Sequence, residues 1–293
     1  MASRLSQAKK LIKVHLKESG QEVLRYDDLR CMLRANAKMW HLRKDTTVRE
    51  FIDFLEGENL LSHLECEAYP LRTAKRYLCG SPSLEQVAMS LEPQGYLSHG
   101  TALFWHGLLN EAAKRVILNH EQSPKPTKKG TMVQAAIDRA FAKGQRSSQL
   151  IYRCEAGEIQ VINGKSTGNY GVVSIRDPKG NELRVTELER TLVDCAVRPG
   201  YAQGILQVLN AYRLALPKLD MALLIKALRK VNHAYPYHQS IGFLLEKAGA
   251  SPDLLSPLKQ MGLNHDFYVD HEIKDPCFNT SWRVHYPREL DDV

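Results

Sequence analysis

Residues 46–78 read TTVREFIDFLEGENLLSHLECEAYPLRTAKRYL, and the fold expected of the first quarter of the chain turns on them. Up to Gly57 the apolar side chains recur with a helical period. Val48, Phe51, Ile52 and Leu55 share one face, and Thr46 or Thr47 stands where an N-cap is needed. Beyond Gly57 the period drops to two. Leu60 to Cys66 alternates like a strand, Pro70 and Arg72 fall at a turn, and Lys75 to Leu78 can return antiparallel.

Upstream, Ser6 to Lys17 has an amphipathic stripe of Leu5, Ala8, Leu11, Ile12 and Leu16, and Gly20 stops it. A second helix follows Tyr26, with Asp27 as N-cap and Leu29, Met32 and Leu33 pointing inward. Arg34 to Lys44 reads as a polar, basic connection. Three short helices and then a hairpin is the element order of a winged helix-turn-helix, which predicts a DNA-binding domain over residues 1–80.

A recognition helix docks on its own domain through an apolar face and presents its first turn to the base edges. Here the apolar ridge leaves Thr46, Thr47 and Arg49 at the leading end, approached by Lys38, His41, Arg43 and Lys44. Arg72, Lys75 and Arg76 lie on the hairpin, where a wing would meet phosphate or minor groove. The competing reading is a small helical domain with solvated charges that docks on a protein. Glu50, Asp53, Glu56 and Glu58 support it. The first 80 residues hold 15 Lys/Arg against 11 Asp/Glu, a mild excess, so position carries the argument.

Gly80-Ser-Pro-Ser marks a boundary, and residues 81–293 predict a larger mixed α/β domain with a helical C-terminal part. The fold class expected is α+β. Ser98 is a candidate N-cap for a helix from His99 to Leu109, and Glu121 to Gly130 reads as a loop. Asn163-Gly164 predicts a hairpin turn, and Thr186 to Glu189 a capping box. Helices are expected over about 186–197, 202–214, 221–231 and 238–248, with closing strands near Phe267 and Trp282.

Glu187, Arg190, Thr191 and Asp194 fall on one helical face, where Arg190 can bridge both carboxylates. This is either an ion-pair network that holds the helix or a patch facing a partner. His99 and His106 lie two turns apart beside Trp105, without the third ligand that a metal would need, so no metal site is predicted. GxGxxG, P-loop, HExxH and GxSxG signatures are all missing, and neither catalytic residues nor a cofactor are predicted.

The net charge of +7 permits a polyanionic partner. The six cysteines are scattered, with no CxxC pair, as expected of reduced thiols in a cytoplasm. With no apolar run of about 18 residues and no apolar leader, neither a membrane partner nor export is expected.

Tyr96–Leu108 (YLSHGTALFWHGL), Val185–Asp194 (VTELERTLVD), Arg198–Gly204 (RPGYAQG), Ile241–Gly249 (IGFLLEKAG) and Trp282–Val284 (WRV) resemble, in order, the signatures of the AbiEi family. These are antitoxins of type IV toxin–antitoxin systems. The resemblance implies a winged helix that represses its own operon by binding inverted repeats in double-stranded DNA. It also implies an antitoxin domain, here holding His99, His106, Glu187, Arg190, Thr191 and Asp194. That domain would counteract a nucleotidyltransferase-like toxin from the neighbouring gene, with or without a stable complex. The N-terminal part departs from the family in lacking a short Arg-rich recognition helix and a clean glycine-turned wing. The alternatives are an enzyme acting on nucleic acid or on the toxin through Glu187, Asp194 and the histidines, and a protein-interaction module.

Overall fold

A computed structural model describes residues 3–111, 114–124 and 132–292. The chain begins α1 (Arg4–Ser19), β1 (Val23–Leu24), α2 (Tyr26–Asn36), α3 (Val48–Gly57), β2 (Ser62–Ala68), β3 (Arg72–Leu78) and α4 (Leu84–Leu91). It continues β4 (Tyr96–Leu97), α5 (His99–Trp105), β5 (Arg115–Glu121), α6 (Gln134–Phe141), β6 (Ile151–Cys154), β7 (Gly157–Gly164), β8 (Val172–Arg176) and β9 (Glu182–Thr186). Then come α7 (Leu188–Val197), α8 (Ile205–Ala215), α9 (Met221–Val231), α10 (Tyr237–Lys247) and α11 (Pro252–Lys259). The last strands are β10 (Phe267–Tyr268), β11 (Pro276–Asn279) and β12 (Val284–Pro287). The class is α+β. Among the described residues, no helix is long and apolar enough to cross a membrane.

The contacts divide the chain into two compact units. The first runs to Gln94 and takes back Gln149–Gln160 and Arg176–Leu183; the second holds the rest from Gly95. The first unit therefore continues past Gly80 through α4 and regains later segments, including β6 and the first half of β7.

In the first unit the helices begin and end where local chemistry requires. Ser3 caps α1 by accepting from the Ser6 amide, and Gly20 ends it in the left-handed conformation. The core gathers Ile12 and Leu16 of α1, Leu29 and Leu33 of α2, Phe51, Ile52 and Leu55 of α3, and Tyr77 of β3. Trp40, inside the stretch expected to be a polar connection, is only 2% exposed, its ring 5.8 Å from that of Phe51. That connection is thus anchored to α3 from within. β2 and β3 pair antiparallel from Ser62↔Leu78 to Ala68↔Arg72, and β1 adds to β3 through Leu24↔Tyr77. β6 joins β2 at Glu67↔Arg153.

In the second unit the strands run in the order β7–β5–β4–β9–β8, with β4 antiparallel to β5 and parallel to β9. α7 is enclosed on all sides, with every residue from Glu189 to Val197 buried. A small sheet, β10–β12–β11, lies near the C-terminus. There α10 and the last strands meet through one deletion of bulk. A Cβ on Gly242 would lie 2.1 Å from the Trp282 ring, so only glycine admits the indole. Trp282 Nε1 then donates to Glu246 Oε2 one turn further on, at 2.9 Å.

Three local expectations are corrected. Asn163-Gly164 is no turn, because β7 continues through Gly164, whose carbonyl accepts from Gln122 N at 3.0 Å. A Cβ there would sit 2.4 Å from Asn119 Oδ1, so this glycine permits a close approach rather than a reversal. Thr186 is no cap, because it ends β9 and its hydroxyl pairs with Thr191 Oγ1 at 2.7 Å, which leaves Glu187 as the N-cap residue. α5 stops at Trp105, short of Leu109, where Gly107 takes a left-handed φ of 69°. The loop expected over Glu121 to Gly130 lies partly outside the described residues.

Candidate functional site

Two groups of side chains carry chemistry, one in each unit. In the first unit, α3 is fastened at its N-terminus by a reciprocal cap. Thr47 Oγ1 accepts from Glu50 N at 3.1 Å and Glu50 Oε2 accepts from Thr47 N at 2.8 Å. The Thr47 backbone N–H, then its hydroxyl, hold the Glu50 carboxyl below its ordinary pKa. Burial of Phe51, Ile52 and Leu55 turns the opposite face outward, so Thr47, Arg49, Glu50 and Asp53 are exposed.

Lys38, His41, Arg43 and Lys44 are exposed on the approach, and Thr46 is half-buried. Arg43 lies 3.7 Å from Asp45 and 3.5 Å from Glu50, and Arg49 lies 4.0 Å from Asp53. Such exposed pairs contribute about 0–1 kcal/mol and exchange readily for another anion. Arg72 and Lys75 project from β3, with the Lys75 ammonium 5.4 Å from the Tyr77 ring centroid. Arg76 is differently placed. It donates to Ser90 Oγ at 2.8 Å and to the Ser90 carbonyl at 3.1 Å, and so ties β3 to the end of α4. Burial lowers its pKa. The hairpin tip exposes Tyr69 and Leu71, neither singled out by pattern, across a cis Tyr69–Pro70 bond.

In the second unit the enclosed α7 carries an ion pair. Arg190 Nε donates to both Asp194 oxygens, at 2.9 and 3.0 Å, with side-chain exposures of 3% and 8%. Arg190 Nη1 reaches the Tyr170 carbonyl at 2.9 Å and Thr167 Oγ1 at 3.3 Å. Burial raises the Asp194 pKa despite its partner. Burial is also the largest influence on Arg190, but the charges of Asp194, Tyr96 and Glu121 and the hydrogen bond to Asp194 together outweigh it and raise its pKa. Glu187 stands at the N-cap position of α7 without a side-chain cap hydrogen bond, and it does not share the bridge. Thr191 Oγ1 donates back to the Thr186 and Glu187 carbonyls, at 3.0 and 2.8 Å.

The loop that meets Arg190 is held by a carboxylate. Glu121 accepts from the amides of Thr167 at 2.7 Å, Gly168 at 2.9 Å and Asn169 at 3.3 Å, and from Tyr96 Oη at 3.1 Å. Burial alone would raise its pKa, but the hydrogen bonds from Thr167 and Asn169 bring it down. Tyr96 opens one of the family-like stretches, but no local pattern pairs it with Glu121 or marks Glu121 itself. Their partners lie 25 to 48 residues away, beyond the reach of any local period.

The two histidines separate. His99 is buried, its Nδ1 2.9 Å from Ser98 Oγ and its ring 5.3 Å from that of Tyr201. Burial, then the charges of Arg198 and Arg190, bring its pKa down to about 3, so it is neutral. His106 Nε2 donates to the Thr186 carbonyl at 2.7 Å, and burial lowers its pKa as well. Among the described residues, no His, Cys, Asp or Glu group could hold a metal ion. Of the six residues of the polar cluster, the structure joins Arg190 to Asp194 directly and engages the others with backbone or neighbouring hydroxyls.

The chain is similar in fold to the RV2827C protein from Mycobacterium tuberculosis, known from a crystal structure, at a TM-score of 0.60 and 13% identity. The alignment covers 97% of this chain and 91% of that one. At that identity the likeness is one of fold alone. No family model and no curated protein matches.

Proposed function

We propose that this chain is a DNA-binding transcriptional regulator in which the first 80 residues act as a winged helix and α3 enters the major groove. The observation that carries the reading is α3 itself: an apolar ridge buried in its own unit, and a capped, exposed leading edge approached by Lys38, His41, Arg43 and Lys44. The order α1–β1–α2–α3–β2–β3, with β1 added to β3, supports it, since a winged helix needs that small sheet behind its recognition helix. Arg43 and Arg49 give up weak carboxylate partners for phosphates. Arg72 and Lys75 act from the hairpin. Arg76, committed to Ser90, positions β3 rather than touching DNA.

The second unit acts as the antitoxin part, counteracting a nucleotidyltransferase-like toxin and leaving autoregulation to the first. Its polar residues brace that unit: Arg190 and Asp194 satisfy each other, and Glu121 pins the loop at 167–169. The chain binds inverted repeats in its own promoter, where a dimer sets two recognition helices about 34 Å apart.

Gel shifts on that promoter across a salt series test the reading. Affinity falls steeply with salt, and Arg43→Ala or Lys44→Ala weakens binding and lowers the salt slope by about 1 each. A wild-type chain that shifts no promoter fragment overturns it. Unchanged shifts for both variants remove the approach to α3 from the DNA-facing surface. Co-expression with the toxin from the neighbouring gene tests the second unit: growth is rescued by the wild-type chain, and failure of rescue overturns the antitoxin role alone.

A further inference from the structure

Two of the six cysteines face each other across a strand pair in the first unit. β2 and β6 are antiparallel with Glu67 opposite Arg153, so one step along each strand sets Cys66 opposite Cys154. The two thiols are close enough for each to act electrostatically on the other. Their settings differ. Cys66 has no exposed surface and sits between the buried Leu64 and Ala68, while Cys154 is half-buried, its thiol 3.4 Å from the Gly157 carbonyl. Directly opposed residues of an antiparallel pair have Cβ atoms about 4.5–5.5 Å apart, and a disulfide needs about 3.5–4.5 Å. Bridging therefore asks for a closure of about 1 Å and no rearrangement of the sheet. The remaining thiols, Cys31, Cys79, Cys195 and Cys277, have no such partner among the described residues.

We propose that Cys66 and Cys154 are a redox modification site, at which a peroxide closes a reversible disulfide between β2 and β6. The reaction runs in two steps. The Cys154 thiolate attacks one peroxide oxygen and the O–O bond breaks. This leaves Cys154 as a sulfenic acid and releases hydroxide, the sulfur losing the two electrons that the peroxide gains. The Cys66 sulfur then attacks the Cys154 sulfur, the S–O bond breaks, and the departing hydroxide leaves as water with the Cys66 proton. Two thiols and one hydrogen peroxide give one disulfide and two waters.

Exposure decides the order, because oxidant reaches Cys154 first. Burial pushes the Cys66 thiol up to about 12, which keeps it inert toward oxidant in bulk. It becomes a nucleophile only toward the sulfur opposite it, with the Arg76 guanidinium near enough to favour its thiolate. A dithiol reopens the bond. Closure staples the β2–β3 hairpin to the β6–β7 hairpin. The chemistry does not depend on whether the first unit binds DNA.

Thiol counting and peptide mapping on the full chain test this. The protein is treated with hydrogen peroxide at neutral pH, quenched by alkylation in denaturant and mapped without reduction. The free thiols fall from six to four, one peptide pair is linked through Cys66 and Cys154, and dithiothreitol restores all six. Cys66→Ser removes the link and lets Cys154 proceed to the sulfinic acid, which dithiothreitol does not reverse. Cys154→Ala, at the half-buried position, leaves Cys66 reduced at the same dose. The wild-type map decides even where a variant fails to fold. Six free thiols after treatment, a different pairing, or a sulfinic Cys154 beside an alkylated Cys66 in the wild type overturns the proposal.

Discussion

Two helices of this protein carry the same pair at the same spacing. On α3, Arg49 and Asp53 stand four residues apart, 4.0 Å between charges, with side chains 90% and 67% exposed. On α7, Arg190 and Asp194 stand four residues apart, 2.9 Å between charges, at 3% and 8% exposure. In water the first pair contributes little, since solvent screens it and two long side chains must be ordered to form it. In the interior the second cannot be dissected without leaving a bare charge where no water reaches it. An interaction that is optional on one helix is obligatory on the other. The first arrangement leaves an arginine free to take another anion, and the second builds a rigid centre.

The comparison breaks most sharply at α7. Asp194→Ala strands the Arg190 guanidinium and lowers unfolding free energy by about 3–5 kcal/mol in urea titrations. A loss below about 1 kcal/mol would mean that the buried pair behaves like the exposed one.

Acid probes the same interior through its histidines. His99 and His233 are held neutral, each down to about 3 against an ordinary value of 6.5, with burial the first cause. Between those values the unfolded chain binds protons that the folded chain refuses. Stability is therefore full above about pH 6.5 and falls as pH drops through the window, by about 1.4 kcal/mol per pH unit for each histidine. Thermal melts from pH 7 to 5 read this, and His99→Gln makes the fall shallower. A flat profile contradicts the burial of both rings.

On α3 the effects are smaller. Thr47→Ala removes the cap and costs about 1 kcal/mol, measured by urea midpoint, with the fold retained. Arg49→Ala changes stability by less than about 0.5 kcal/mol, and on the proposed DNA-binding reading it weakens promoter binding and its salt dependence. Equal stability losses at Arg49 and Arg190 would erase the distinction between the helices.

Legibility follows the same divide. The ridge of Phe51, Ile52 and Leu55 and the cap at Thr47 were readable because both depend on neighbours three or four positions away. The stripe of Glu187, Arg190, Thr191 and Asp194 was readable as a face. Its burial was not, because α7 is enclosed by α5, α8 and α9 and so offers no contrast between a wet and a dry side. Trp40 was hidden among basic residues, and Asn163-Gly164 imitated a turn because the strand that needs its glycine lies some 45 residues earlier. Glu121 belonged to a segment read as a loop, and its role depends on amides at 167–169.

The order of residues, taken alone, set most of the helical and strand periods, the caps at Thr47 and Gly20, and the α+β class, since these arise from interactions within one or two turns of chain. Packing between distant segments decided which carboxylates lose their water, which strand the β6–β7 hairpin joins, and which of two identical Arg–Asp pairs is indispensable. Desolvation is a property of everything that surrounds a charge, and those surroundings come from parts of the chain that the local pattern never meets.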